Sequence, residues 1–177
     1  MASAEEFAAV YDDHVWDVYG YFGYRVRTRQ EAEDLTQEVF ERALRAWSRF
    51  DPDRATPRTW LLAIARNALI DHYRADRSGN ERPLGEDPGE VPYERVGSAE
   101  DEPVLGPSPE LEAALSVLTD RVREVVALRF GGDLTGAEIA EMTGLSLANV
   151  QQILSRSLRR LRRELESAPT GAHQRGG

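Results

Sequence analysis

Residues Thr135 to Arg163, TGAEIAEMTGLSLANVQQILSRSLRRLRR, read as a short helix, a tight turn and a longer second helix. Ala140, Gly144 and Val150 stand at the intervals a helix-turn-helix needs. The alanine lets two helices approach, the glycine takes a left-handed turn, and the valine fills the gap between the helices. Thr135 and Glu138 form a capping box that opens the first helix, and Ser146 is placed to cap the second. Leu147, Val150, Leu154, Leu158, Leu161 and Leu165 recur at spacings of three and four, which predicts one apolar stripe. The opposite face carries Ala148, Asn149, Gln152, Ser155, Arg156, Arg159 and Arg163. Asn, Gln and Arg can read base edges in the major groove, and Arg also holds phosphates. Together with Ser146 these are the candidate DNA contacts of the C-terminal half. An Arg-rich surface helix closing a bundle would share the basic face but would not need the turn signature.

Composition bounds the rest. A chain of 177 residues allows one ordinary domain or two small ones. The net charge of −9 argues against a uniformly basic nucleic-acid coat, but charge is segregated. Leu147 to Arg163 holds five Arg and no acid, whereas Ser78 to Glu110 holds nine acids against two Arg. With no Cys there is no disulfide framework, thiolate zinc site or Cys nucleophile. No signal peptide and no apolar run of membrane-spanning length is evident, which places the protein in the cytoplasm without membrane insertion.

Capping and periodicity divide the chain into two all-α blocks. A first helix runs from Ser3 to about Val26, opened by a Ser3–Glu6 capping box, with Phe7, Tyr11, Tyr19 and Phe22 mostly turned to a core. A second runs from about Gln30 to Trp47, capped by Thr28 with Glu31. Thr56-Pro57 opens a third that reaches about Arg77. Residues 78–108 are rich in Gly, Pro and acids without apolar periodicity, and read as a flexible, self-repelling linker. Ser108-Pro109 reopens helix. Two short helices then precede Gly131-Gly132 and the helix-turn-helix, and 168–177 reads as a frayed tail. The expected domains are therefore 1–77 and 109–167. Each is small enough for a marginal core that a partner could stabilise.

Two further patterns lie in the N-terminal block. Leu35, Val39, Phe40, Ala43, Ala46 and Trp47 line the inward side of the second helix, while Asp34, Gln37, Glu38 and Glu41 share its outward face. An acidic, amide-bearing strip repels DNA and suits a basic or coiled-coil protein partner. An ordinary solvated face is the simpler account of the same strip. Phe50 to Trp60 interleaves aromatics with Arg49, Arg54 and Arg58 around a Pro-bounded loop, and the next helix sets Trp60, Asn67, Asp71 and Arg74 roughly on one side. Aromatics, amides and Arg beside a loop are what unstacked bases need. Packing of Trp47, Phe50 and Trp60 against each other is the simpler account of the aromatics alone.

EAEDLTQEVFERALRAWSRFD followed by TPRTWLLAIARNALIDHYR resembles conserved region 2 of sigma-70-type transcription initiation factors. LTDRVREVVALRFGGDLTGAEIAEMTGLSLANVQQILSRSLRRLRREL resembles region 4. The two blocks stand in the family's order with a short linker in place of region 3, the layout of extracytoplasmic-function, or group 4, sigma factors. The resemblance implies a promoter-specificity subunit that joins bacterial core RNA polymerase, binds promoter DNA and supports melting. It implies that Asp34, Gln37, Glu38 and Glu41 dock on the clamp helices of the polymerase. It implies that Phe50, Arg54, Arg58, Trp60, Asn67, Asp71 and Arg74 capture the melted −10 element. The second helix of the helix-turn-helix then reads the −35 element. Many members of the family are held inactive by an anti-sigma protein, a further candidate partner.

Nothing in the sequence supports catalysis or a cofactor. His14, His72 and His173 lie in three separate segments without metal-ligand spacing, and no phosphate loop or dinucleotide fingerprint occurs. Asp12, Asp13 and Asp17 are the residues a metal-dependent nucleic-acid-processing protein would use, and a charged helix face accounts for them more simply. The main alternative is a free-standing helix-turn-helix regulator that never joins polymerase. Such a protein would carry a ligand or dimer domain in place of the N-terminal block.

Overall fold

A computed structural model describes residues 3–79 and 108–167. The proposed acidic linker, apart from its edges, and the proposed tail lie outside the described residues. The rest is all-helical, with α1 (Ala4–Gly23), α2 (Arg29–Ala46), α3 (Pro57–Gly79), α4 (Pro109–Ser116), α5 (Asp120–Val126), α6 (Gly136–Thr143) and α7 (Leu147–Ser167). A short 3-10 turn, Trp47–Arg49, follows α2, and a one-turn π segment, Ala127–Gly131, follows α5.

Local chemistry sets the boundaries. Capping boxes open α1 at Ser3–Glu6, α2 at Thr28–Glu31 and α6 at Thr135–Glu138, each satisfying two otherwise orphaned backbone donors. Pro57 occupies the first position of α3, where its missing N–H costs nothing. That helix runs to Gly79, two residues beyond the boundary read from sequence. Gly144 ends α6 in the left-handed region at φ 73°, and the Ser146 hydroxyl accepts the Asn149 N–H at 3.2 Å to start α7.

In the N-terminal block α1, α2 and α3 pack around Val18, Phe22, Leu35, Val39, Leu61 and Leu62. The helix-turn-helix block does not form a separate globule beside it. Val125, Ala127, Leu128, Leu134, Ile139 and Val150 belong to the same continuous core. A smaller cluster, Ala114, Leu115, Leu118, Val126 and Leu161, holds α4 to α5 and α7. Each small block thus extends its core into the other.

Two features make that junction. The π segment lies against α1 so closely that a Cβ on Gly131 would stand 2.5 Å from the Gly20 carbonyl oxygen, and one on Gly20 would stand 2.6 Å from the Gly131 oxygen. Only a glycine pair permits this backbone approach. Beside it, Glu124 of α5 accepts hydrogen bonds from the Tyr21 hydroxyl (3.0 Å) and Arg66 Nε (2.6 Å), and lies 3.2 Å from Arg25 Nε. Arg25, 3% exposed, also pairs with Asp120 at 2.9 Å and donates to its carbonyl at 3.1 Å. Arg66 donates to the Met142 carbonyl at 2.8 Å. The Tyr73 hydroxyl donates to the Arg25 carbonyl. Burial opposes the Arg25 charge, but Tyr21, Glu124, Tyr73 and Asp120 outweigh it and raise its pKa.

The apolar stripe of α7 differs from its sequence reading. Val150 and Leu161 are buried, with Ile153 and Leu154 partly so, but Leu147, Leu158 and Leu165 are exposed. Ser157 takes an inward position instead and donates its hydroxyl proton to the Ile153 carbonyl at 2.7 Å. At about 100° per residue, the three exposed leucines sit roughly 60–80° off the centre of the buried line. Spacing alone groups them with it, and the width of the neighbouring helices leaves them out.

Burial, and then the adjacent Glu124 carboxylate, push the Tyr21 hydroxyl well above the ordinary tyrosine range. The unfolded pKa of about 10 is lower than the folded one, so this contribution is complete below about pH 10 and is lost as pH rises through the folded value. Urea unfolding between pH 8 and 11 should show stability falling on the alkaline side. Tyr21→Phe should reduce that slope, and an unchanged slope would mean that Tyr21 is not held neutral at the junction.

Candidate nucleic-acid interface

α7 presents a polar face directly opposite its buried line. Ala148, Asn149, Gln152, Ser155, Arg156, Arg159 and Arg163 are all exposed, as is the capping Ser146. Arg159 Nε leans back to the Ser155 carbonyl at 3.3 Å. Farther along, Arg156, Arg159, Arg160, Arg162 and Arg163 line one surface hollow without an acid among them. With 21 residues α7 is roughly 31 Å long. Its first turns can enter a major groove while the arginine-rich turns lie along phosphates.

On α3, Asn67, Asp71 and Arg74 are exposed and share one side. Asp71 is not unpaired. Arg42 of α2 donates to it at 2.9 Å and also donates to Glu38. Arg42 is not among the residues the sequence singles out, yet it ties the acidic strip of α2 to the polar side of α3. An Arg four residues after a Glu signals only a pair within one helix. The link to Asp71, 29 positions on, has no local signature.

The loop before α3 separates into parts. Phe50 stacks on Trp47 with ring centroids 5.0 Å apart and planes at 7°, and Trp60 packs against both at 5.9 and 5.1 Å. Trp47 is buried and the other two are half-buried, so the aromatics are first of all a packed cluster. Arg58 is held by Asp17 at 2.8 Å and by Asp133 at 3.3 Å, across the junction between the two blocks. Asp133 takes the left-handed region at φ 54°, which Asp tolerates better than most residues. Arg54 is exposed on the loop.

The strip on α2 has Asp34, Gln37 and Glu41 exposed and Glu38 half-buried. Gln30 donates to Asp34 at 2.8 Å, and Gln37 donates to Glu41 at 3.0 Å. Next to the strip runs an apolar groove between α1 and α2, floored by Phe40 and Val15 and flanked by Tyr11, Trp16 and Leu44. Trp16 is 63% exposed and Leu44 55%, and Tyr11, a core residue by its spacing, is 44% exposed. Apolar side chains left in water beside a polar strip are the kind of ground a protein partner can cover. Helical periodicity does not separate these side chains from core.

Among the described residues no group of three or more His, Cys, Asp or Glu is placed to hold a metal ion. Asp12 and Asp13 are exposed, and Asp17 is engaged by His14 and Arg58. No described helix is long and apolar enough to cross a membrane.

The family described as Sigma-70 region 2 matches residues 10–79, and Sigma-70, region 4 matches residues 114–163. The ECF RNA polymerase sigma factor SigX of Bacillus subtilis is 32% identical over 165 residues, covering 92% of this chain and 84% of that protein. BldN of Streptomyces coelicolor, also an ECF RNA polymerase sigma factor, is 37% identical over 165 residues, covering 92% of this chain and 61% of that one. The sigma factor RpoE of Bartonella quintana, solved in complex with the anti-sigma factor NepR, superposes with a TM-score of 0.63 over 93% of this chain and 96% of its own. At 18% identity that likeness is one of fold.

Proposed function

The chain belongs to the ECF sigma factors of the sigma-70 family, and from that premise we propose which surfaces carry out each part of its work. It is a promoter-specificity subunit that binds core bacterial RNA polymerase, recognises −35 and −10 elements and supports melting. It works in the cytoplasm and performs no bond chemistry of its own; its action is differential binding.

The observation that carries the assignment of surfaces is the exposed, acid-free face of α7, on a different helix from the acidic strip of α2. The exposed face of α7, with Asn149, Gln152, Ser155, Arg156, Arg159 and Arg163 behind Ser146 and Ala148, takes the −35 duplex. Asn67, Asp71 and Arg74, continued by Arg54 and the half-buried edges of Phe50 and Trp60, take the unpaired −10 strand. Arg58 joins that set once it leaves Asp17 and Asp133. Asp34, Gln37, Glu38 and Glu41, with the adjacent groove at Trp16 and Leu44, dock on polymerase. An acidic strip bordered by apolar side chains fits a protein and repels DNA. The same exposed apolar ground is open to an anti-sigma protein.

The −35 assignment distinguishes base recognition from phosphate binding. Gln152→Ala or Arg156→Ala should relax preference at particular base pairs by roughly 1–3 kcal/mol for each bidentate hydrogen-bond pair removed. Arg162→Ala should weaken binding evenly and lower its salt dependence. Quantitative binding of the polymerase complex to a library of −35 variants reads both. Unchanged preference and unchanged salt slope in all three would place the DNA elsewhere.

Reconstitution with core polymerase tests the other two surfaces. Asp34→Arg with Glu41→Arg should abolish assembly at unchanged helix content, and it spares Glu38, which Arg42 needs. Asn67→Ala with Arg74→Ala should retain assembly but abolish most opening of linear promoter DNA. Unstacking costs a few kcal/mol that these side chains help to offset. A template already unpaired across the −10 element should restore transcription. A double mutant that opens paired DNA like the wild type would show that this side of α3 is structural only.

A further inference from the structure

We infer that Arg42 is a positioning residue for promoter opening: by pairing with Asp71 across α2 and α3 it masks the single acid in the set assigned to the unpaired −10 strand. This rests on the sigma-factor reading above and adds a residue that the strand-binding set does not contain.

Asp71 is the odd member of that set. Phe50, Trp60 and Asn67 are uncharged, and Arg54, Arg58 and Arg74 are cationic. Asp71 follows Asn67 by four positions and precedes Arg74 by three, so it stands between them on one side of α3. Neighbours at these spacings have Cβ atoms about 5–6 Å apart. A strand that reaches both Asn67 and Arg74 therefore passes close to the carboxylate. At about 0.1 M salt the screening length is about 10 Å, so a bare carboxylate there still repels phosphate. Arg74 alone would only cancel it.

Arg42 supplies the missing charge. Its Nη1 donates to Asp71 Oδ2 at 2.9 Å, from 29 positions earlier in the chain. This is the only side-chain partner of Asp71 among the described residues. The other amino group of Arg42 donates to Glu38, one turn back on α2, which holds the guanidinium between the two carboxylates. The hydrogen bond to Asp71 outweighs a smaller burial penalty and raises the Arg42 pKa. The two side chains are 35% and 53% exposed, and a pair this open to water contributes little to stability. Its effect is on the local field. A masked acid beside Arg74 leaves that side of α3 attractive to phosphate, and a bare one does not. Glu38 lies on the strip assigned to polymerase, where a basic partner balances it.

Opening is followed by fluorescence of a base analogue in the −10 element of linear promoter DNA. Each full-length variant is in excess over core polymerase, so that assembly is complete, and circular dichroism records its helix content. Arg42→Gln should open DNA several-fold more slowly than the wild type at about 0.1 M salt, and the ratio should narrow as salt rises. Arg42→Lys, which keeps the charge, should retain most of the rate. Adding Asp71→Asn to Arg42→Gln should recover it, since no acid is then left to mask. Asp71→Asn alone should open DNA faster than the wild type. A defect in Arg42→Gln that persists in the double variant and ignores salt would make the pair a structural brace and overturn the inference. Slower opening by Asp71→Asn alone would also overturn it, because the carboxylate would then itself be a contact. If Arg42→Gln loses helix content, the direction of change in Asp71→Asn still decides. A wild type that opens no promoter DNA with core polymerase would overturn the sigma-factor reading, and this inference with it. A wild type that opens DNA beside variants that break the expected pattern overturns the inference alone.

Discussion

A single carboxylate, that of Glu124, accommodates a hydroxyl and two guanidinium groups from the opposite block. Removing the carboxylate would leave the buried Tyr21 hydroxyl without its acceptor and Arg25 with Asp120 alone, which is costlier than never having built the pair. Buried ion pairs add little to net stability, but these are met only when the two blocks dock in one register. Here the register they select is the one in which Gly20 and Gly131 meet backbone to backbone. From that register follow the shared core, the π segment and the capture of Arg58 by Asp133. Each block is small, and the junction adds buried apolar surface to both.

Much of this architecture is legible in the residues because it is local. The three capping boxes, Pro57 and Gly144 act within four or five positions, and each helix begins or ends where they stand. The inward set of α2, Leu35 to Trp47, is equally readable from its period. Features that depend on what a helix packs against are not. Tyr11 and Leu158 occupy apolar positions of their helices, yet both are exposed, Tyr11 while packing edge-on against Phe40. Arg25 and Tyr21 look like ordinary polar and aromatic residues at the end of α1, and their importance comes from α5, about a hundred positions away. The π turn at Ala127–Gly131 carries no local sign beyond its two glycines, which read simply as a helix stop.

The candidate surfaces divide in the same way. The polar face of α7 can be named from the sequence because it is the complement of a helical stripe, and all of its members are exposed. The −10 set is mixed. Asn67 and Arg74 stand out to solvent, whereas Phe50 and Trp60 also hold the loop by stacking around Trp47. Such aromatics serve packing and recognition together when only their edges are presented. Arg42 joins the proposed −10 side of α3 to the proposed polymerase-docking strip through Asp71 and Glu38.

The central claim is that one chain carries the proposed −35 face on α7 and the proposed −10 side on α3, packed together in the free chain and spread along the promoter in the complex. Because the sequence contains no Cys, Ser48→Cys and Gln151→Cys, both at exposed positions outside the assigned binding sets, give two unique labelling sites. Their separation, measured by double electron–electron resonance, should form one population below about 40 Å in the free chain, the width of a compact unit of this size. In the complex with core polymerase and a promoter carrying both elements it should exceed about 60 Å, as the spacing of the two elements along duplex requires. The same short distance in both states, with both elements protected, would contradict the account.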